Sequence, residues 1–304
     1  MQGRRILRRP CYLDKTKRIF KMVEKYYISC DMEGITGITN FKEMEEQKAY
    51  ASKMMTSEIR EVANSINGAR AASGVEKENI EIIVADSHSL GVNIIHSELP
   101  SNVKLIRGFP RRYYMAPYLD ASYSAIMFVG YHARIGSFEA GMDHTFSGSS
   151  IYGIQINGCE VGEFEINAGL AGHYEIPVAF ASGDDKFIKQ IDGFKKKMGF
   201  ETVVTKEALS RYSAVLYHPD RVYKDFRSAI TKTLEERNWA GKPLKYDYPL
   251  DIKIELTNTV KADLVSLIPV LTREDGRTIR FKAPDFLYFY NMLCAILPIC
   301  WTDR

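Results

Sequence analysis

The chain has 304 residues, 45% hydrophobic and 26% charged, a globular composition that excludes disorder, collagen-like repetition and coiled coil as the dominant state. No apolar run reaches the ~18–20 residues of a membrane span, and five cysteines without a CxxC pair (Cys11, Cys30, Cys159, Cys294, Cys300) argue against a disulfide framework or a cysteine zinc site. The net charge of +3 is uneven: residues 1–25 hold nine basic and two acidic groups, a balance of +7, while the remaining 279 hold 32 and 36, a balance of −4. The basic character belongs to a tail, so neither nucleic acid nor a membrane is expected as partner of the body. A soluble, cytoplasmic protein is expected, with residues 1–24 as an extension outside the fold.

Lys25–Asp31 (KYYISCD) is β-rich and apolar and runs into Gly34 and Gly37, which predicts a strand ending in a loop. From about Lys42 to Ser73, Met44, Met55, Ile59, Val62 and Ile66 recur at the spacing of a one-sided helix. Ile80–Ala85 is a continuous apolar run, the pattern of a strand buried on both faces, and Val103–Ile106 and Ala125–Gly130 repeat it. Asn157-Gly158, set between alternating apolar positions in Ile151–Val161, predicts a hairpin. A helix over Gly162–His173, a strand over Pro177–Ala181 and a short helix over Asp184–Ile191 follow. This order predicts an α/β domain over 25–205, with a mostly parallel sheet flanked by helices. Beyond Thr205 the rhythm changes. A charged helix (Asp220–Arg237), a Pro/Gly loop (Gly241–Pro249), strands Asp251–Leu256 and Thr278–Lys282 and a helix Pro284–Ile299 predict a smaller α+β domain over 206–304.

Acids and histidines fall at the carboxyl ends of the predicted strands, the edge at which open α/β sheets bind ligands. Asp31 and Glu33, two apart in an extended chain, present two carboxylates to one side, a hard-oxygen pair suited to a divalent cation. Taken alone, such a D-x-E triplet is more commonly an N-cap beside a solvated acid, and a rival chemical reading is the loop of a phosphohydrolase nucleophile. His88, in Asp86-Ser87-His88, and His132, in Gly130–Ala133, each follow an apolar strand directly, where a ring nitrogen can enter the cleft while a neighbour orients the other nitrogen. A single histidine of this kind is commonly structural; two at equivalent strand ends, with D-x-E at a third, point to a metal. Glu160, Glu163 and Glu165 stand near a helix start, where acids normally serve the helix dipole. His144 lies in a glycine-rich segment, placed to act as acid, base or oxyanion stabiliser if it reaches the cleft. His96, His173 and His218 lack a strand-end position and are expected to be structural or superficial. The sequence lacks GxSxG, Walker and HExxH patterns, which leaves serine-hydrolase, P-loop and zincin chemistry unsupported.

In order, Ser29–Gly37 (SCDMEGITG), Asp86–His88, Gly130–Arg134 (GYHAR), Met142–His144 and Val161–Ala168 (VGEFEINA), with Pro177–Asp185 after them, resemble the D-aminopeptidase family of zinc metallopeptidases. The resemblance covers roughly Lys25 to Tyr212 and continues weakly to the C-terminus. It implies two zinc ions per subunit, with Asp31 bridging both, Glu33 and His88 completing one, and His132 and Glu163 completing the other. Each ion would then keep an open position, as catalytic zinc requires, and a water activated between the two would attack the peptide carbonyl. His144 matches the active-site histidine and is assigned proton transfer or transition-state stabilisation. The resemblance therefore implies an aminopeptidase for short peptides with D-amino-acid N-termini, assembled as a large ring-like homo-oligomer such as a decamer. A metal-dependent hydrolase of another amide or a phosphoester, and a non-catalytic metal-bound peptide-binding protein, stand as alternatives. Glu165 departs from the small or apolar residue usual in the family, which predicts either altered amino-group recognition or a solvent-facing carboxylate.

Overall fold

The computed structural model describes residues 23–301. In chain order the elements are β1 (Glu24–Cys30), α1 (Phe41–Glu46), α2 (Lys48–Ala72), β2 (Ile80–Asp86), β3 (Val103–Ile106), β4 (Ala125–Tyr131), β5 (Ile151–Ile156), β6 (Cys159–Glu160) and α3 (Glu163–His173). These are followed by β7 (Val178–Asp184), α4 (Asp185–Gln190), α5 (Asp192–Met198), β8 (Glu201–Ser210), β9 (Ser213–Leu216) and α6 (Pro219–Glu236). The last are β10 (Leu250–Leu256), α7 (Thr259–Val265), β11 (Thr272–Arg273), β12 (Thr278–Ala283) and α8 (Phe286–Cys300).

The continuous apolar runs become the interior of a seven-stranded sheet ordered β3-β2-β1-β4-β7-β8-β9. All its neighbours are parallel except β8 and β9. Its two faces are read from adjacent residues, which point to opposite sides of a strand. Phe128 of β4 meets Phe164 of α3 at 5.1 Å between ring centroids, whereas Phe180 of β7 meets Phe226 of α6 at 5.8 Å. Phe180 is in register with Met127, the neighbour of Phe128, so α3 and α6 cover opposite faces. Helix α6 earns its place through one stripe, Val222, Phe226, Ile230 and Leu234, all buried at four-residue spacing. Pro219 opens that helix without losing a needed donor, and His218 caps it. Helix α2 packs against α6. The predicted long helix over 42–73 is thus two, with Asn40 capping α1 and a break at Gln47.

A second, antiparallel sheet has the order β11-β12-β10-β5-β6. Strand β10 alternates between buried and half-buried positions, the signature of one covered face. Helix α8 lies against β10, β12 and α3, so α3 and α8 join the two sheets through Phe286, Phe289 and Leu293 of α8, all fully buried. The division expected at 205/206 passes through the middle of β8, and the second sheet draws β5 and β6 from the first 205 residues. Pairing of β5 with a strand about a hundred positions later leaves no local trace in the sequence. Residues 1–22, most of the expected extension, lie outside the described residues. Glu24, counted with that extension, instead opens β1 and accepts 2.6 and 2.7 Å hydrogen bonds from Arg70.

From β1 the chain moves to β2 and β3 on one side, and from β4 to β7 and β8 on the other. The order reverses between β1 and β4, so a crevice opens where their carboxyl ends diverge.

Candidate metal centre

The turn after β1 is pressed against the end of β4. Gly34 N–H donates to the Gly130 carbonyl at 2.7 Å, and a Cβ on Gly34 would stand 2.0 Å from the Tyr131 carbonyl oxygen. Glycine at this place lets the carboxylates of Asp31 and Glu33, both buried, reach the histidine that follows β4. His132 is buried as well, and its Nδ1 lies 2.9 Å from the Ala133 carbonyl, which turns Nε2 into the crevice. His144 is held in the same manner, Nδ1 to the Met142 carbonyl at 2.9 Å. The two imidazoles stack at 4.3 Å with planes 8° apart. A ring nitrogen anchored to a backbone carbonyl is the usual support of a metal-binding histidine. His88 is placed by the loop after β2, which closes on the buried Asp86: its carboxylate accepts from Asn93 N–H (2.6 Å), Ile94 N–H (2.9 Å) and Asn93 Nδ2 (2.9 Å). Glu163, the first residue of α3, accepts from Phe146 N–H at 2.6 Å.

These six side chains converge. His88 Nδ1 is 3.0 Å from Glu33 Oε2 and 3.4 Å from Asp31 Oδ1. His132 Nε2 is 3.4 Å from Asp31 Oδ2 and 3.5 Å from Glu163 Oε2. His144 Nε2 is 3.7 Å from Glu163 and 3.9 Å from Glu33. Asp31, Glu33 and His132 offer ligand atoms within 4.8 Å of one another, and so do His132, His144 and Glu163. Asp31 Oδ2 and His132 Nε2 are both buried without a hydrogen-bond partner. Buried polar atoms are normally paired; two such atoms facing each other among carboxylates and imidazoles fit a cation between them, and mixed N/O donors suit zinc.

Charge without a metal is distributed as protons. Burial, and then the neighbouring Glu33, push the Asp31 carboxyl up to about 6. Burial would also raise Glu33, but the charges of His88, His144 and His132 hold it well below the ordinary range. Burial opposes protonation of His88 and His132, yet Glu33 and Asp31 raise the first well above the ordinary imidazole value, and Glu163 and Asp31 raise the second. Metal binding at such a set displaces protons.

Asp31, Glu33, His88, His144 and Glu163 line a cavity of about 760 Å³, walled by Phe41, Tyr114, Phe146 and Trp301. Lys48 and Arg211 supply its cationic lining. The other acids and histidines fall outside the cluster. Glu160 is exposed and pairs with Arg134 at 2.5 Å. Glu165 is buried, its carboxylate taken by Gly162 N–H (2.9 Å) and Gln190 Nε2 (2.9 Å). It closes the start of α3, so it neither faces solvent nor is free to recognise an amino group. His218 caps α6, His173 ends α3, and His96 opens a short 3-10 turn. Tyr114, Phe146 and Trp301 went unmarked in the sequence, because an aromatic that lines a cavity is patterned like one that fills a core.

The profile of the D-aminopeptidase family matches residues 25–295. The chain belongs to this family. A D-aminopeptidase of Bacillus subtilis is 29% identical over 280 residues, covering 90% of this chain and 96% of its own. Among solved structures, the Zn-dependent D-aminopeptidase DppA from Bacillus subtilis, described as a self-compartmentalizing protease, superposes with a TM-score of 0.82. It is 26% identical, and the match covers 92% of this chain and 99% of that one. The mixed α/β fold with a mostly parallel sheet is therefore that of the family.

Proposed function

We propose that the chain is a zinc-dependent aminopeptidase acting on short peptides with D-amino-acid N-termini. The observation that carries this reading is the partnerless buried pair Asp31 Oδ2 and His132 Nε2, set among two further carboxylates and two further imidazoles. Family membership and the two relatives, one described as Zn-dependent, support it. Asp31, Glu33, His88, His132 and Glu163 would hold two zinc ions, Glu33 and His88 serving one and His132 and Glu163 the other, with Asp31 between the two sets. Zinc held there supplies Lewis acidity, which polarises a carbonyl and acidifies water.

The chain's own residues do the rest. The cavity is wide enough for a short peptide, and its aromatic wall offers apolar surface to the side chains. His144 is 14% exposed, with Nδ1 committed to the backbone and Nε2 free to face a reacting group, so it holds or moves a proton at that atom. The acids of the cluster also attract the ammonium of a free N-terminus. Hydrolysis of another amide or of a phosphoester, and peptide binding without turnover, gain no support from the comparisons.

Self-association belongs to the same reading. Leu209, Tyr212, Val215 and Leu216 are exposed apolar side chains on the hairpin of β8 and β9, residues that contact with a second copy would cover. The relative described as self-compartmentalizing supports a homo-oligomer; a closed ring, with ten subunits as the expected count, and a cytoplasmic location complete it. Hydrolysis of matched D- and L-dipeptides with and without added zinc tests the central claim. Zinc-stimulated cleavage of the D-substrates is expected, and equal rates on both series or indifference to zinc would overturn it.

A further inference from the structure

The segment Glu33–Ile38 turns back beneath the metal cluster, and its backbone polar groups are satisfied largely from the side of β8. Lys206 is 1% exposed. Its Nζ donates to the carbonyl oxygens of Glu33 (2.5 Å), Ile35 (3.0 Å) and Ile38 (2.5 Å). Thr205 Oγ1 donates to the Gly34 carbonyl at 2.5 Å. From α2, the Glu58 carboxylate accepts the Thr36 N–H at 2.7 Å, while Thr36 Oγ1 lies 3.0 Å from the Tyr217 carbonyl and 3.3 Å from that of Thr205. An ammonium carries three donors and no acceptor, so three convergent carbonyls match it fully, much as they would match a small monovalent cation.

A lysine buried in this way is costly. Burial pulls its pKa down to about 8, and Asp184 and Glu58 offset part of that effect. Asp184 Oδ2 and Glu58 Oε2 are themselves buried without hydrogen-bond partners. An apolar residue of similar length would avoid the cost of burying the ammonium but would strand three carbonyls, all in the turn that carries Glu33 and follows Asp31.

We propose that Lys206 is a positioning residue for the metal centre: its three bonds fix the turn after β1 so that Asp31 and Glu33 meet His88 and His132. The inference rests on Asp31 and Glu33 as zinc ligands. Two effects of opposite sign separate it from simple electrostatics. As a positive charge near the site, Lys206 repels a divalent cation, so removing the charge alone tightens zinc binding. As a clamp on the ligand turn, it favours zinc, so removing it loosens binding. The clamp dominates, because it reaches the main chain at three points while Asp184 counters its charge.

Zinc affinity of wild type and Lys206→Met, measured by competition with a chelator alongside circular dichroism, decides the matter. Expected is a 10- to 100-fold loss of zinc affinity, the range found when groups that orient metal ligands are removed, in a protein whose far-ultraviolet spectrum is unchanged. Zinc binding as tight as wild type, or tighter, would overturn the proposal. Thr205→Val removes one anchor of the same turn without changing charge, and its expected loss is smaller and of the same sign. If Lys206→Met does not fold, unchanged zinc affinity in Thr205→Val overturns the proposal by itself. Asp31→Asn is the control for the ligand reading: a wild type that takes no zinc, or an Asp31→Asn variant that binds as well, refutes the ligand set, whereas a zinc-binding wild type, a weakened Asp31→Asn and undiminished affinity in the Lys206 and Thr205 variants refute the positioning role alone.

Discussion

His132 and His144 stack ring on ring, yet their places in the proposed site differ, and this separates their expected phenotypes. His132 is buried, and its Nε2 faces both Asp31 and Glu163 at 3.4 and 3.5 Å. His132→Ala is expected to lose one zinc equivalent by metal analysis together with activity. His144 stands at the wall of the cavity, farther from the carboxylates. His144→Ala is expected to keep its zinc while kcat falls about 10²- to 10⁴-fold, the usual contribution of a positioned proton donor or acceptor; loss of metal in that variant would make His144 a ligand instead. Gly34 offers a steric test. An added methyl would meet the Tyr131 and Gly130 backbones at 2.0 and 2.6 Å, so Gly34→Ala is expected to destabilise the fold by about 1–3 kcal/mol, read as a lower denaturation midpoint. Asp31, Glu33, His88 and His132 are legible in the sequence because each closely follows an apolar run, which marks the end of a strand, whereas His144 in its glycine-rich loop and Glu163 at a helix start are marked by the family resemblance. Lys206 is not legible, since a lysine in a strand ordinarily denotes a solvent-facing position and only the folded chain brings three carbonyls to it.

At the scale of elements, α2 carries a buried acid into the layer beneath the site. Burial pushes Glu58 up to about 8, against an ordinary value near 4.5 in the unfolded chain. Between those values the folded state binds more protons than the unfolded one, so stability falls as pH rises from about 4.5 to about 8, with a slope approaching ~1.4 kcal/mol per pH unit. Glu58→Gln keeps an oxygen for the Thr36 N–H and removes the charge. Its denaturation curves at pH 5 and pH 8 are expected to differ less than those of wild type, with the gain in stability at pH 8. The helices and the central parallel strands are legible through their periodicity. The partnership of β5 with β10 is not, because strand pairing across such a separation depends on the placement of everything between, and the extension of the first sheet by β8 and β9 is hidden for the same reason.

At the scale of the molecule, metal binding and folding are one equilibrium if the cluster forms only in the native chain. Removing zinc with a chelator is expected to lower the melting temperature. Free zinc at about 1,000 times its Kd restores roughly 4 kcal/mol per site, a difference that scanning calorimetry reads directly. Among the described residues, no helix is long and apolar enough to cross a membrane. A mass in solution well above the 34.6 kDa of one chain is expected, and substitution of Leu209 and Val215 by lysine is expected to reduce it.

The reversal of strand order between β1 and β4 has a consequence for biosynthesis. The six converging side chains enter the crevice from segments running from Asp31 to Glu163, and the turn that bears the first two is anchored by Lys206 on β8. A chain emerging from a ribosome therefore carries the first acids long before it carries the imidazole and carboxylate that complete them. In an enzyme that cuts peptides, hydrolytic power would then await the anchoring of that first turn, which comes about forty residues after the last of the six.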